Sequence, residues 1–415
     1  MDQDTSIDTT TPAVEVKEAP ATEPTVKKSR SSKAWLVLLI FGLIFAIAGG
    51  VLLALTLLKP AEEKAALTFP TVPSKVVGDK IYSTITGEEI ASESTNHAPV
   101  FCVQTPNGTD GARPQAGLHD AGVIFEAIAE AGITRFAAIY QDPSSAVIGP
   151  IRSLRLYYLE WDTPFDCTIV HAGGAYDALT AVKNGDYKDL TESYTYMYRG
   201  TVSERRWNNL FTIASHLQHF ATDKNFPTSN PQGFTHNTPE AAEKARVDAL
   251  ATEKLSITKP STASTSELTP KVTHITMRFG NMPSYNPVYD YDTATNTYKR
   301  SYESGAAHIV YKCPDTDLGE KNPEDVCGIQ QLAPSVVIGI MVNEHKASDN
   351  YHEDITTTGT GTAYIFQNGT VVEGTWAKNT RADQIRFYDK AGNEIALNPG
   401  QVIVSAVPNY GSVEY

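Results

Sequence analysis

Residues 118–140 read LHDAGVIFEAIAEAGITRFAAIY, and the period found in them decides the fold class. Val123, Ile124, Ala127, Ile128 and Ala131 recur at helical spacing, and Gly132 stands where a helix would end. The spacing predicts a helix over 118–131 and a strand over 133–140. Working outward, 100–103 and 165–170 are strand-like, while 151–161, 176–182 and 206–221 are helix-like. Strand and helix signals alternate, so residues 81–255 are expected to form an α/β unit.

A Ser/Thr/Pro-rich stretch over 256–270 reads as a linker. Residues 271–415 are expected to form a mostly antiparallel β unit, a sandwich or small barrel packed on the first. Residues 362–366 and 371–376 flank Asn368-Gly369, a hairpin signal because both turn positions require positive φ. A second tight turn is expected at Gly392-Asn393, between 384–388 and 394–397. A third pair, 288–291 with 297–302, turns around Ala294, and 402–407 closes the set. The expected class is α+β or α/β: a membrane-anchored chain with an α/β N-terminal unit and a β-rich C-terminal unit.

The anchor is read from residues 34–58, which carry no charge. As a helix this segment reaches about 37 Å, enough to cross a hydrocarbon layer of about 30 Å. Lys27, Lys28, Arg30 and Lys33 flank it, which places residues 1–33, a disordered Thr/Pro/Glu/Lys-rich tail, in the cytoplasm. Residues 59–80 read as a stalk with Pro60, Pro70 and Pro73, and all that follows is expected outside the cell. No cysteine lies in or just after the segment, so anchoring by a lipobox thiol is not expected. The four cysteines, Cys102, Cys167, Cys313 and Cys327, all fall on the outer side, where two disulfides can form. Three pairings are possible; the local Cys313–Cys327 bridge is favoured, which leaves Cys102 with Cys167. No CxxC spacing suggests a metal site.

The 415 residues carry 34 Lys+Arg and 48 Asp+Glu, a formal charge of −14. That balance weighs against a nucleic-acid partner and against adhesion to anionic lipid. No GxSxG, Walker loop or HExxH is present, and neither cofactor nor metal is expected.

The most informative chemistry lies in Gly149-Pro150-Ile151-Arg152-Ser153-Leu154-Arg155. Pro150 suits the first turn of a helix, whose free N–H groups attract anions. On that helix Arg152 and Arg155 would be i,i+3 neighbours able to grip a phosphate, pyrophosphate or carboxylate. The plainer reading pairs them with Glu126, Glu130 or Asp166. His171-Ala172-Gly173-Gly174 follows a strand and precedes a helix. There the glycines let backbone approach a ligand, and His171 could act as a base. Glu126 and Glu130 would share a helix face, as an acid–base pair or as counterions for Arg135 and Arg152. His216 and His219 would be i,i+3 on a helix, with no acid at the spacing of a metalloprotease site; Glu344-His345 and His352-Glu353-Asp354 could bind metal, but they sit in a polar stretch that reads as a solvated loop. The candidate ligand-binding set is Arg113, Arg135, Arg152, Ser153, Arg155, Gly173 and Gly174; His171, Glu126 and Glu130 are the catalytic candidates.

Several of these blocks carry a resemblance. Tyr82-Ser83-Thr84-Ile85-Thr86-Gly87, Arg113-Pro114-Gln115-Ala116-Gly117-Leu118, and Glu126 and Glu130 with Gly132 to Phe136 form one group. Gly149 to Ser153 with Arg155, and His171 with Gly173-Gly174, form the next. Tyr364, Asn368-Gly369 and Gly374-Thr375-Trp376 complete the set. Together they resemble the YerB-like lipoprotein family, a two-part bacterial envelope family of unknown function. The resemblance implies an extracytoplasmic location and a two-part architecture, and it supplies no reaction. Members are commonly anchored through a lipidated cysteine, whereas this chain reads as anchored by a helix.

Three functions follow as expectations. The first is a non-catalytic envelope protein binding an anionic ligand or an envelope protein through its arginines. The second is a cell-wall enzyme, a phosphotransferase or hydrolase, acting on a glycan or lipid-linked pyrophosphate. The third is a scaffold whose β unit holds a protein partner.

Overall fold

The structure is a computed structural model that describes residues 75–250 and 270–415. The expected tail, membrane segment and most of the stalk and linker (1–33, 34–58, 59–74 and 256–269) lie outside the described residues. Among the described residues no helix is long and apolar enough to cross a membrane.

The 118–131 helix is not formed. Only Leu118–Asp120 turns, as a short 3₁₀ piece, and Val123–Glu130 is a strand. Ala131 and Gly132, with φ of 49° and 78°, make a two-residue turn that pairs Glu130 with Ile133. The glycine read as a helix end is thus a hairpin residue. The run Val123–Ala129 is buried throughout, because both faces of this strand are covered: Phe125 and Ala127 enter one core, Ile124 the other. A strand buried on both faces loses its alternation, so period alone could not separate it from a buried helix.

We number the strands of the two larger sheets in chain order. They are β1 (Val100–Pro106), β2 (Val123–Glu130), β3 (Ile133–Gln141), β4 (Thr168–His171) and β5 (Lys188–Thr191). After residue 270 come β6 (His274–Arg278), β7 (Pro287–Asp292), β8 (Thr297–Tyr302), β9 (Val336–Val342) and β10 (Gly359–Gln367). The last are β11 (Thr370–Lys378), β12 (Arg386–Asp389), β13 (Val402–Pro408) and β14 (Ser412–Glu414). One ten-stranded sheet has the order β12-β11-β10-β9-β13-β2-β3-β1-β4-β5, and a four-stranded sheet has β8-β7-β6-β14. Strands from before and after the 256–270 stretch therefore share one sheet. The junction is β13, which runs parallel to β9 on one side and to β2 on the other.

The C-terminal half is antiparallel apart from that β9–β13 pair. The Asn368-Gly369 turn forms as read, with φ of 58° and 65°, between β10 and β11. The β7–β8 hairpin also forms. At Gly392 the turn closes on a single Tyr388–Glu394 bridge. In the N-terminal half the helices are fewer and shorter than the α/β reading required. They are α1 (Leu156–Asp162), α2 (Tyr176–Asn184), α3 (Ala214–Asp223) and α4 (Pro239–Leu250). Helix α1 buries Tyr157, Tyr158 and Trp161 against the sheet, with Trp161 stacked 5.4 Å from Phe125.

The cysteines pair as Cys102–Cys167 and Cys313–Cys327, with Cα separations of 5.8 and 4.2 Å. The first ties β1 to the start of its parallel neighbour β4.

Candidate functional site

Strands β1 and β4 pair from Phe101–Thr168 to Val103–Val170 and then part. The 149–155 segment fills the gap. Arg152 N–H donates to the Gln104 carbonyl (2.7 Å), Ala172 N–H to the Arg152 carbonyl (3.0 Å) and Leu154 N–H to the Gly173 carbonyl (3.0 Å). Bonded on both sides, residues 152–154 are extended, and the helix expected from Pro150 begins only at Leu156. Arg152 and Arg155 are therefore not stacked on a helix face. The location, at the carboxyl ends of two parallel strands, is still one where α/β sheets bind ligands.

The candidate arginines divide sharply. Glu130 accepts from both Arg135 and Arg155, the latter at 2.6 Å, and Arg135 also donates to the Ser153 carbonyl at 3.2 Å. Arg135 is 8% and Arg155 3% exposed. Arg113 donates to Asn107 Oδ1 (2.8 Å) and the Ser284 carbonyl (2.9 Å), and lies 3.7 Å over the Tyr302 ring. All three are held by the protein itself. Arg152 differs. It is half-buried, and among the described residues its guanidinium has no hydrogen-bond or ion-pair partner. Burial lowers its pKa from the ordinary arginine value, opposed by the more distant Asp110 and Glu130. Arg135 and Arg155 thus share one close carboxylate, Glu130, and Arg152 forms no ion pair with it.

Ser153 is half-buried beside Arg152. Gly173 has φ of 66°, and a Cβ there would meet nothing within 4 Å, whereas one at Gly174 would sit 3.0 Å from the Leu154 carbonyl. Gly174 is therefore needed for close backbone pairing, and Gly173 for its left-handed turn at an open surface.

The catalytic candidates are otherwise engaged. His171 is 1% exposed, its Nδ1 faces the Gly173 carbonyl at 2.7 Å and its Nε2 faces Asp189 at 2.8 Å. Neither nitrogen faces Ser153. Glu126 and Glu130 lie on a strand, with a register shift between Ile128 and Glu130, so they form no helical pair. Glu126 is 0% exposed and accepts both oxygens' worth of a forked bond from Arg300 Nη2, at 2.8 and 2.9 Å.

That pair anchors a network between the halves that the sequence reading missed. Thr134 and Ser405 also donate to Glu126 (3.0 and 3.3 Å). Arg300 donates to the Tyr289 and Tyr302 hydroxyls (3.2 and 2.9 Å) and to His308 Nδ1. His308 Nε2 faces Gln115 Oε1 at 3.0 Å, and Tyr302 donates to Asn107 Oδ1 at 2.9 Å. Burial, then Arg300 and Arg113, hold the His308 pKa well below its usual value. A neutral ring bearing its proton on Nε2 satisfies both neighbours. Burial opposes the Arg300 charge, yet Glu126 keeps its pKa well above the usual arginine value. One signal for Arg300 was present: in Tyr298-Lys299-Arg300-Ser301-Tyr302, alternation puts it on the face of two tyrosines.

Among the described residues no three His, Cys, Asp or Glu side chains gather as a metal site.

Comparison with known proteins adds the family. A Bacillus subtilis relative, named "Putative lipoprotein YerB", is 26% identical over 338 residues, covering 80% of this chain and 87% of its own. The crystal structure of the YerB protein from Bacillus subtilis superposes with a TM-score of 0.61 at 21% identity, covering 80% of this chain and 99% of that one. This likeness shows a shared fold. Residues 85–227 match the N-terminal domain, and residues 275–404 the C-terminal domain, of the protein of unknown function DUF3048. The chain belongs to this two-part family of unknown function, DUF3048, and carries both of its domains.

Proposed function

We propose that the chain is a non-catalytic envelope protein that binds an anionic ligand at Arg152, anchored by residues 34–58 with its two-part body outside the cell. The observation that carries the binding reading is the half-buried Arg152 guanidinium, which has no partner among the described residues. An unpaired cation held away from water is unfavourable unless something of opposite charge completes it. Arg135 and Arg155, already bridged by Glu130, add positive potential beside it. A phosphate, pyrophosphate or carboxylate would supply the missing acceptors in a bidentate geometry. Gly173 and Ser153 leave the approach open. The anchoring reading draws on the uncharged 34–58 segment, its basic flank, the two disulfides and the lipoprotein name of the relative.

The test is thermal unfolding of the full chain with inorganic pyrophosphate, a polyprenyl pyrophosphate and an anionic wall polymer. A ligand present at about 100 times its Kd stabilises by about 2.7 kcal/mol. At least one of the three is expected to raise Tm in the wild type and not in Arg152→Ala. No rise with any of them, or an equal rise in both proteins, would overturn the reading.

A further inference from the structure

A second cleft lies in the C-terminal half, where β9 and β10 part. Their pairing runs from Val337–Phe366 to Ile340–Ala363 and ends there. Strand β10 continues back to Gly359 bonded only to β11. The fork encloses a cleft of about 260 Å³. Its lining contains no charged side chain, although the chain as a whole carries −14. It is lined by four threonines, Thr356, Thr358, Thr360 and Thr362, and two asparagines, Asn343 and Asn409, beside Met341, Gly361 and Trp376. Among the described residues none of these six side chains hydrogen-bonds to another group of the protein.

The arrangement is built by the strand. Positions 360 and 362 share the outward face of β10, and Thr360 and Thr362 are exposed on it. The intervening Gly361 lies against Trp376: a Cβ there would sit 2.4 Å from the indole Nε1 and 2.8 Å from the Met341 carbonyl. Trp376, 3% exposed, donates to that carbonyl at 3.0 Å and forms the floor. The outward face continues to the half-buried Tyr364, an apolar ring next to the hydroxyl row.

We infer that this cleft is a binding site for an uncharged glycan. The hydroxyls and carboxamides that these residues carry both donate and accept, which suits a polyol. An ionic ligand would meet no countercharge here. The inference stands apart from Arg152 and does not rest on it.

The experiment uses the full chain in a detergent without a sugar headgroup. It is titrated at millimolar concentration with chitotriose, cellotriose and maltotriose, and followed by calorimetry and tryptophan fluorescence. The Thr360→Val/Thr362→Val double variant keeps the shape and β propensity of both sites and is expected to unfold at the wild-type temperature. At least one trisaccharide should bind saturably, and the double variant should weaken it by roughly tenfold or more, two hydrogen bonds being removed. Arg152→Ala should leave this binding unchanged. Absence of saturable binding by all three sugars, equal binding by the double variant, or preference for an uncharged extended peptide over every sugar would overturn the inference.

Discussion

Glu126→Gln should be among the most damaging single changes in this protein. Glu126 and Arg300 are both 0% exposed, and 174 positions separate them in the chain. The substitution keeps the volume and removes the charge. Arg300 then retains only neutral partners, the Tyr289 and Tyr302 hydroxyls and His308, and the new amide turns donors toward donors. Breaking a buried pair from one side costs about 3–5 kcal/mol, against a total stability of about 5–15 kcal/mol. At about 2 °C per kcal/mol for a chain of this size, Tm should fall by about 6–10 °C. Urea unfolding followed by tryptophan fluorescence gives the free energy. The pair joins β2 to β8, so the loss should appear as one transition. Glu126→Leu combined with Arg300→Met should recover only part of it, because Asn107, Thr134 and Ser405 lose their acceptor. A loss below about 1 kcal/mol in Glu126→Gln would refute the view that this fixed charge pair locks the halves together.

Reducing the disulfides should destabilise unequally. Loop entropy predicts about 4 kcal/mol for Cys102–Cys167, separated by 65 positions, and about 3 kcal/mol for Cys313–Cys327, separated by 14, which paired Cys→Ala variants can measure by calorimetry. Stability should decline as pH falls below about 6.5. Burial pushes the His236 pKa down to about 4 and that of His308 well below its usual value, so both rings stay neutral when folded while the unfolded chain takes up protons. By pH 4 the His236 contribution alone amounts to about 3 kcal/mol, and His236→Asn should flatten that slope in urea titrations. Expressed alone, residues 75–255 should aggregate or remain unfolded by circular dichroism, because β2 loses its parallel neighbour β13 and exposes a mostly apolar edge, with Glu126 stripped of Arg300.

What could be read from the sequence was local. Asn368-Gly369 announced its hairpin because two consecutive positive φ values restrict residue choice within the turn itself. The 123–130 strand was hidden because its burial on both faces comes from partners far along the chain, β13 among them. The cleft segment misled for the same reason. Pro150 is compatible with a helix start, but bonds to Gln104 and Gly173 hold residues 152–154 extended, and neither bond has a local signature. Arg300 sat visibly on an inward face, and nothing nearby named Glu126 as its counterion. The sequence could not tell the arginines bonded within the fold, Arg113, Arg135 and Arg155, from Arg152, which among the described residues is not.

That distinction has a thermodynamic signature. Arg155 is 3% exposed and bonded to Glu130 and to the Leu154 carbonyl, so Arg155→Ala leaves Glu130 with Arg135 alone and opens a buried gap. Its cost should approach the 3–5 kcal/mol of a broken buried pair, reduced by the remaining Arg135 contact to about 2–3 kcal/mol. Arg152→Ala removes a half-buried guanidinium that no group among the described residues satisfies and relieves its repulsion with Arg155. Its stability should therefore equal or exceed that of wild type in the absence of ligand. Residues kept for binding commonly cost stability where residues kept for the fold supply it. Urea midpoints of the two variants, measured in a buffer free of phosphate and citrate, separate the roles. If Arg152→Ala loses as much as Arg155→Ala, Arg152 is a structural cation and the anion site has no centre.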